Sequence, residues 1–549
     1  MQSPVAKGSV ALAFLALSMI IAGCASTGGI APQSKAADAS SFDIGNAVRA
    51  ADANAQWPAA DWWRAYGDPQ LNSLVDAARA GSPTLAAAQA RVRSAMALAG
   101  RAQAALAPQV NGSLSVERQH WADDPLFYGP GTLANTNSWN NTASIGLSYH
   151  LDLWGADKNA LERALDAAHA QAADARTAQL ELEVNVVRAY VDLSKNYALL
   201  DIAKQVLEQQ KQLAALAHRR LAGGLGTQLE VSQTEAPLPE YERQIDALDE
   251  SIALDRNQLA ALVGKGPGAG DSITRPTLSL AMQAGLPSTL PAELIGHRPD
   301  IVAARWTVAA QARGIDVAKA AFYPNINLAA SLGGYATGGP LFQFLNSANG
   351  SWTAGPALSL PIFDGGARRS ELGAAAAGYD LAVENYNQTI VGALKDVSDQ
   401  VVRIRSLATQ EQDAQRSVAA AKKSFDLSRE GYRRGLTDYV NVIVAESQWL
   451  NAQQGVARTQ AEQLVAHASL MAALGGGLDD PANGPSAADT LPGHTTAAQR
   501  AVSTVAAAVS STAAKAANAL AGNPVAGTPV SPSPQQAPAA APAAPAPAQ

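Results

Sequence analysis

Two hydrophobic periods divide this chain, and one gives way to the other within a few residues. In the stretch GPALSLPIFDGG, residues 355–366, Leu358, Leu360 and Ile362 alternate with smaller or turn-prone residues. A period of two marks a strand with one apolar face. Pro361 limits pairing near the strand end, and the turn residues Asp364, Gly365 and Gly366 stop it. From Ala367 the pattern is helical and stays so to Arg429.

The same change occurs earlier, where residues 145–155 alternate and Gly155 precedes a helix over 156–221. Leu147 pairs with Leu358 at an offset of 211 (358 − 147), as do Leu225 with Leu436 and Gly264 with Gly475. Upstream the offset is 216: Pro83 pairs with Pro299 (299 − 83) and Pro108 with Pro324. The chain is therefore a duplication, with five more residues (216 − 211) in the first copy between Pro108 and Leu147.

Each copy predicts a helix, a hairpin, a long helix and a last helix. The first helices run over 84–107 and 300–322, with Pro83 and Pro299 where a missing amide costs nothing. In the first hairpin Val110, Leu114 and Val116 alternate with Asn111, Ser113 and Ser115, and Ile145, Leu147 and Tyr149 return after a polar loop. In the second, Ile326, Leu328 and Ala330 go out, and Leu358 and Leu360 come back. At about 9–12 residues these strands have the length of tilted transmembrane strands, although a half-buried soluble hairpin would alternate in the same way. Four strands cannot close a barrel, and lipid forbids an open edge. A membrane reading therefore requires several chains to share one barrel.

The long helices, over 156–221 and 367–429, predict a coiled coil or helical bundle with alanine-rich seams. The last helices run over 229–263 and 440–474, so that the first and last helices of a copy, stacked end to end, match the long one. Pro237 and Pro239 should break the last helix of the first copy near Ala236, a feature the second copy lacks. Gly224 and Gly435 lie in the turns at the helix-hairpin tips. A nucleotide-binding loop does not fit there, since no Lys-Ser or Lys-Thr follows the glycines and no strand precedes them.

The N-terminal 24 residues change the picture. Lys7 and the apolar run 10–21 form an export signal that ends Ile21-Ala22-Gly23-Cys24. Cys24, the only cysteine, falls at the cleavage point after small residues, which predicts cleavage before it and lipidation of its thiol. The alternative is an ordinary signal with an incidental cysteine. Ala25, where an aspartate would mean inner-membrane retention, points to the outer membrane. Further on, Trp62-Trp63, Gly67-Asp68-Pro69, Leu71 and Leu74 make a turn and a short amphipathic helix, with the tryptophans as packing anchors. After Gly477 an Ala/Pro/Ser/Thr tail begins, whose Pro-rich end is expected to be disordered.

Composition excludes several function classes. A net charge of −7 without a basic run argues against nucleic acid. Beyond the signal, no apolar run approaches the roughly 18–20 residues of a membrane helix. Seven histidines without metal spacing, and a cysteine committed to the cleavage point, leave no catalytic, metal or cofactor site to propose. His297 reads as a linker residue.

Taken together, Cys24, Trp62-Trp63, Gly67-Asp68-Pro69, Arg298-Pro299-Asp300-Ile301, Tyr323-Pro324 and Leu360 to Gly366 resemble the TolC-type outer-membrane factors, within them the NodT/OprM-like efflux lipoproteins. The resemblance covers about residues 10–477. It implies a mostly α protein with a membrane β-barrel: a homotrimer whose twelve strands form one barrel among outer-membrane lipids. Its helices would form a periplasmic α-barrel, closed at the tip. The partners implied are a periplasmic membrane-fusion adaptor and an inner-membrane transporter of the RND or MFS type, with no enzymatic activity in this subunit. The function implied is the exit duct of a tripartite small-molecule or drug efflux pump; a duct for type I protein or peptide secretion is the alternative. Cargo is not legible, although subgroup similarity suggests fusaric or aromatic acids.

The family narrows its tip with residues just after the helix turns, often carboxylates. By position these are Glu230 and Asn441, with Gln233 and Val444 three residues on. The second copy departs from the acidic pattern, with Asp438 an acid slightly out of place, and Tyr432 matches an aromatic near the turn. Glu230 also reads simply as a helix-start acid favoured by the helix dipole. The expected division is signal peptide 1–23, lipid-anchored linker 24–56, equatorial segment 57–82, first repeat 83–264 with its hairpin at 109–151, inter-repeat linker 265–298, second repeat 299–477 with its hairpin at 324–363, and tail 478–549.

Overall fold

The computed structural model describes residues 27–38, 41–43, 57–122, 135–279, 297–337 and 341–477. The export signal, Cys24 and the low-complexity tail lie outside the described residues, as do 280–296 of the inter-repeat linker. The chain separates into a unit over 1–491 and a second over 492–549, and the second lies wholly outside them.

A 3-10 turn over Trp62–Tyr66 leads into helix α1, Pro69–Gly81. The first copy then runs α2 (Pro83–Ala105), β1 (Gln109–His120), β2 (Asn137–Leu151), α3 (Ala156–Ala222), α4 (Gln228–Glu235) and α5 (Leu238–Leu262). The second runs α6 (Pro299–Ala320), β3 (Asn325–Thr337), β4 (Gly350–Ser359), α7 (Ala367–Arg433) and α8 (Tyr439–Ala473). Helices α3 and α7 have 67 residues each, about 100 Å at 1.5 Å per residue. The expected break at Pro237 separates α4 from α5, whereas α8 runs unbroken.

Two boundaries differ from the sequence reading by more than two residues. Helix α7 continues past Arg429 to Arg433, where Gly435 ends it at φ +73°. Arg433 and Arg434 both pair with Glu430 in that last turn, and cations suit a helix C-terminus. Strand β4 stops at Ser359, so Leu360 and Ile362 lie beyond it. Ser359 pairs with Asn325, the first residue of β3, and Pro324 before it offers no amide to extend the ladder.

The short helices stack end to end beside the long ones, and glycine permits both junctions. Gly264 takes φ +77°, and a Cβ there would meet the Gly81 carbonyl at 2.1 Å and Pro83 at 3.2 Å. Gly475, at φ +92°, meets the His297 carbonyl at 2.1 Å in the same way. His297 is more than a linker residue: its ring stacks on Trp57 with centroids 4.1 Å apart. Helix α3 packs against α2, α5, α6 and α8, and α7 against α6 and α8. Buried positions of α3 include Ala168, Ala170, Ala173, Ala189, Ala203, Ala214 and Ala217, small side chains that let helix axes approach closely.

The equatorial segment is held by Asp68. It caps α1 by accepting from the Gln70 amide at 2.9 Å. It also accepts from the Tyr190 hydroxyl of α3 at 2.8 Å and from the Thr277 amide at 2.7 Å. Burial opposes its ionisation, but these donors outweigh burial and hold the carboxyl below its ordinary range. Trp62, Trp63 and Tyr66 are buried beside it, the role expected of the tryptophans.

A strap precedes this segment. Gly28 lies against Arg369, the Gln33 and Ser34 amides both donate to Asp380, and the Ala37 amide donates to Asn387. Nine residue steps of the strap (37 − 28) thus run alongside eighteen of α7 (387 − 369). An extended chain rises about 3.3 Å per residue and a helix 1.5 Å, so the two lengths agree.

Asp68→Ala should cost about 2–3 kcal/mol, because it orphans buried donors on α3 and at Thr277. A depressed carboxyl stabilises the fold fully above its ordinary pKa and loses that contribution as pH falls through the lowered value. Thermal melting from pH 8 to pH 3 should therefore show a wild-type advantage over the variant that fades only at the acid end.

Candidate functional site

The four strands form one antiparallel sheet in the order β1-β2-β3-β4. Its register sorts side chains without ambiguity. Val110 lies opposite Leu147, Leu147 opposite Ala330, and Ala330 opposite Ala354. The next rungs on this face include Ile145 with Leu332, and Leu332 with Trp352. The other face carries Asn111, Ser113, Ser115 and Glu117 on β1, Ser144 and Ser148 on β2, Asn327 and Ser331 on β3, and Thr353 on β4. Ser113 bonds Ser144 at 2.8 Å and Ser331 bonds Thr353 at 2.8 Å, each across neighbouring strands of the polar face.

Among the described residues, nothing covers most of the apolar face. Leu114 is 67% exposed, Ile145 58% and Leu358 68%. Nor does the sheet close, since β1 and β4 each have one hydrogen-bonded neighbour. An apolar face backed by a polar one is the alternation that strands parting lipid from water carry.

The strand-to-helix turns sit where the sequence places them. Gly155 precedes α3 at φ +75° and Gly366 precedes α7 at φ +94°, both left-handed positions that favour glycine. Asp364 accepts from the Gly366 and Arg368 amides, and those donors lower its pKa. Aromatic side chains crowd this level: Trp154 stacks on Tyr323 at 4.8 Å and donates to the Pro324 carbonyl, and Phe363 is 91% exposed.

The far ends of the long helices form two hairpin tips. Gly224 (φ +68°) and Gly435 (φ +73°) turn the chain, and Leu225 and Leu436 donate back to the carbonyls of Arg220 and Gly431. Thr227 caps α4 by accepting from the Glu230 amide. Asp438 occupies the cap position of α8 without a side-chain cap bond, and Asn441 donates to Thr437. Gln233 lies in α4 and Val444, 51% exposed, in α8.

Arg220, which the sequence reading did not single out, joins the two tips. Its guanidinium lies 4.9 Å over the Tyr432 ring, donates to the Tyr432 and Leu225 carbonyls, and stands 3.8 Å from Glu230. It therefore brings Glu230 of the first copy to Tyr432 of the second. Tyr432 is buried among Phe425, Tyr439 and Trp449, and burial together with the Glu230 charge raises its pKa. The signal that could have found Arg220 was an opposite charge ten residues before Glu230 (230 − 220), across a glycine turn.

Behind the tip lies a buried polar network in which the Gln210 and Glu446 Oε1 atoms both lack partners among the described residues. Gln210, fully buried, donates to the Thr234 carbonyl beside the helix break and to the Tyr439 hydroxyl of α8. Glu446 is buried nearby, with Oε1 lacking a partner and Tyr241 and Tyr439 as its titratable neighbours. Burial pushes its carboxyl up to about 7. Asn441 and Asp438 do not enter the Arg220 contact.

The family model described as outer membrane efflux protein matches residues 74–265 and 290–476. The chain belongs to the outer membrane efflux protein family: it is an outer-membrane efflux channel protein and not an enzyme. It is similar to the fusaric acid resistance protein FusA of Burkholderia cepacia, 65% identical over 378 residues, 69% of this chain and 71% of the relative. The pyoverdine export outer membrane protein OpmQ of Pseudomonas aeruginosa is 31% identical over 421 residues, 76% of this chain and 87% of that protein. Among solved structures, the outer membrane protein VceC of Vibrio cholerae aligns with TM-score 0.70 at 32% identity, covering 76% of this chain and 99% of that one. The outer-membrane channel OprN aligns with TM-score 0.72 at 27% identity, covering 81% and 98%.

A raised carboxyl pKa favours the packed state at low pH, where the proton removes the burial cost, and that advantage is lost as pH rises through about 7. Hydrogen exchange of residues 439–449, corrected for intrinsic rate, should quicken from pH 5.5 to pH 8.5 in the wild type. In Glu446→Gln the same comparison should be flat.

Proposed function

We propose that three copies of this chain share one twelve-stranded barrel in the outer membrane, and that their helices form a periplasmic duct closed at the Arg220–Glu230–Tyr432 tip. The observation that carries this reading is the open sheet, with a bare apolar face, a polar face and two unpaired edges. Closing β4 of one chain on β1 of the next would satisfy both edges, and the polar face would line the water path. The long helices would carry that path roughly 100 Å into the periplasm.

Lipidation at Cys24 fits the strap. Gly28 lies at the first turn of α7, beside the turn into the membrane sheet. Four residues (28 − 24) reach at most about 14 Å, enough to set a lipid on Cys24 into the inner leaflet. The fatty acyl chains, palmitate among them, would anchor each chain beside the barrel.

The duct works with a periplasmic adaptor and an inner-membrane transporter of the RND or MFS type, which select the cargo. Likeness to the fusaric acid resistance protein favours a small aromatic acid, and the pyoverdine exporter's likeness also favours small-molecule efflux over peptide secretion. The adaptor opens the tip by binding its dilated form better than the closed one. Glu230, Tyr432, Asn441 and Asp438 are the gate candidates, with Arg220 the cation between the two copies.

Two experiments test the reading. Leu114→Arg puts a charge on the apolar face and should cost roughly 2–4 kcal/mol near the bilayer midplane. Assembled protein in outer membranes should fall at least tenfold, while Ser115→Arg, on the polar face, should stay within twofold. Equal yields would remove the barrel assignment. Separately, Glu230→Ala combined with Tyr432→Phe should raise passive conductance in planar bilayers several-fold; unchanged conductance would place the constriction elsewhere.

A further inference from the structure

The apolar face of the sheet changes character at the end away from the helices. Along β1 it runs Val110, Gly112, Leu114, Val116 and then Arg118. Arg118 lies opposite Trp139 in the register, with its guanidinium 5.5 Å over the indole. His120 occupies the next rung, Nδ1 3.2 Å from Asn137 Oδ1. Glu117 and Gln119 point to the opposite face.

Beside this rung, residues 341–349 fold back over the same face. Asn141, fully buried, donates to the Leu341 carbonyl at 2.6 Å. The Phe344 carbonyl comes so close to Gly334 that a Cβ there would meet it at 1.9 Å. Phe342 remains 67% exposed. The result is a shelf: an overhang over β2 and β3, and a bare apolar wall on β1 topped by a cation and an indole.

The height of the shelf can be set from the strand. Arg118 is nine residues beyond Gln109 (118 − 109), about 30 Å along the strand and roughly 23 Å in height at a 40° tilt. An apolar band is about 25 Å tall, so Arg118 stands at the headgroups of the leaflet away from the helices. That leaflet of an outer membrane is built from phosphorylated glycolipid. A guanidinium fork matches a phosphate, an indole suits the interface and covers sugar, and the aliphatic wall below accepts acyl chain.

We propose that Arg118, with Trp139 and His120, binds the phosphate of an outer-leaflet glycolipid whose acyl chains lie along Val116 and Leu114. This rests on the membrane reading above. The test takes full-length protein extracted from outer membranes in mild detergent and measures retained phosphorylated glycolipid per chain by mass spectrometry. Arg118→Gln should retain at least threefold less than wild type, and Glu117→Gln, on the opposite face, should retain as much. Delipidated wild-type protein, which needs no variant, is then melted with lipid A or with dephosphorylated lipid A. Only the phosphorylated form should raise the melting temperature, by several degrees. Equal retention by wild type and Arg118→Gln, or equal effects of the two glycolipids, would overturn the proposal. Recovery as an outer-membrane trimer reads the parent reading separately: without it both fall, and with it but equal retention only the glycolipid site falls.

Discussion

A sheet with two free edges and a bare apolar face cannot stand alone in water or in lipid. In water the face costs free energy in proportion to its area; in lipid each unpaired edge amide costs several kcal/mol. Both penalties vanish only when other strands close the ring. The shared barrel proposed above would remove both, and alternating strands with glycine turns suit that proposal. Each hairpin returns both of its ends to the helical side, where the glycines at 155 and 366 launch two helices of equal length.

The helical part solves a different problem, that of length without bulk. Helices of 67 residues need partners along their whole span, and the copies provide them by stacking two shorter helices end to end. Alanine at buried positions keeps the axes close, and glycine at the junctions lets backbone meet backbone. The copies are not equivalent, however. Only the first has a proline break, and Gln210 meets the carbonyl beside that break while also holding Tyr439 of the second. The tip is thus a junction between unlike halves, with Arg220 reaching from one to the other.

Most of the architecture was legible because it is written in period and repetition. The alternation at 110–116 and 326–330, the offset of 211 and the paired prolines each have a local physical cause, so each survives in the sequence. What was not legible depends on contacts between distant segments. The extent of β4 is set by where β3 begins, which its own residues do not say; Leu360 and Ile362 continue the alternation past the last rung of the described ladder. His297 looks like linker until Trp57 is found against it. Glu230 and Tyr432 could be placed near the tip by resemblance, yet the cation that joins them lies on another helix and is recognisable only through the turn. Glu446 gave no signal at all, since a glutamate on a long helix ordinarily faces water.

The strap along α7 bears on the order of events during folding. Its bonds to Asp380 join residues 347 and 346 positions apart, among the longest sequence separations in the molecule. Contacts of that span form late, after the loop they close has been ordered by other means. The strap can dock only once the second copy's long helix exists, so the amino-terminal end, first to leave the ribosome, is among the last to find its place. Until then residues 28–37 stay free while helices and hairpins order, so the docked strap marks a chain whose second long helix is already in place.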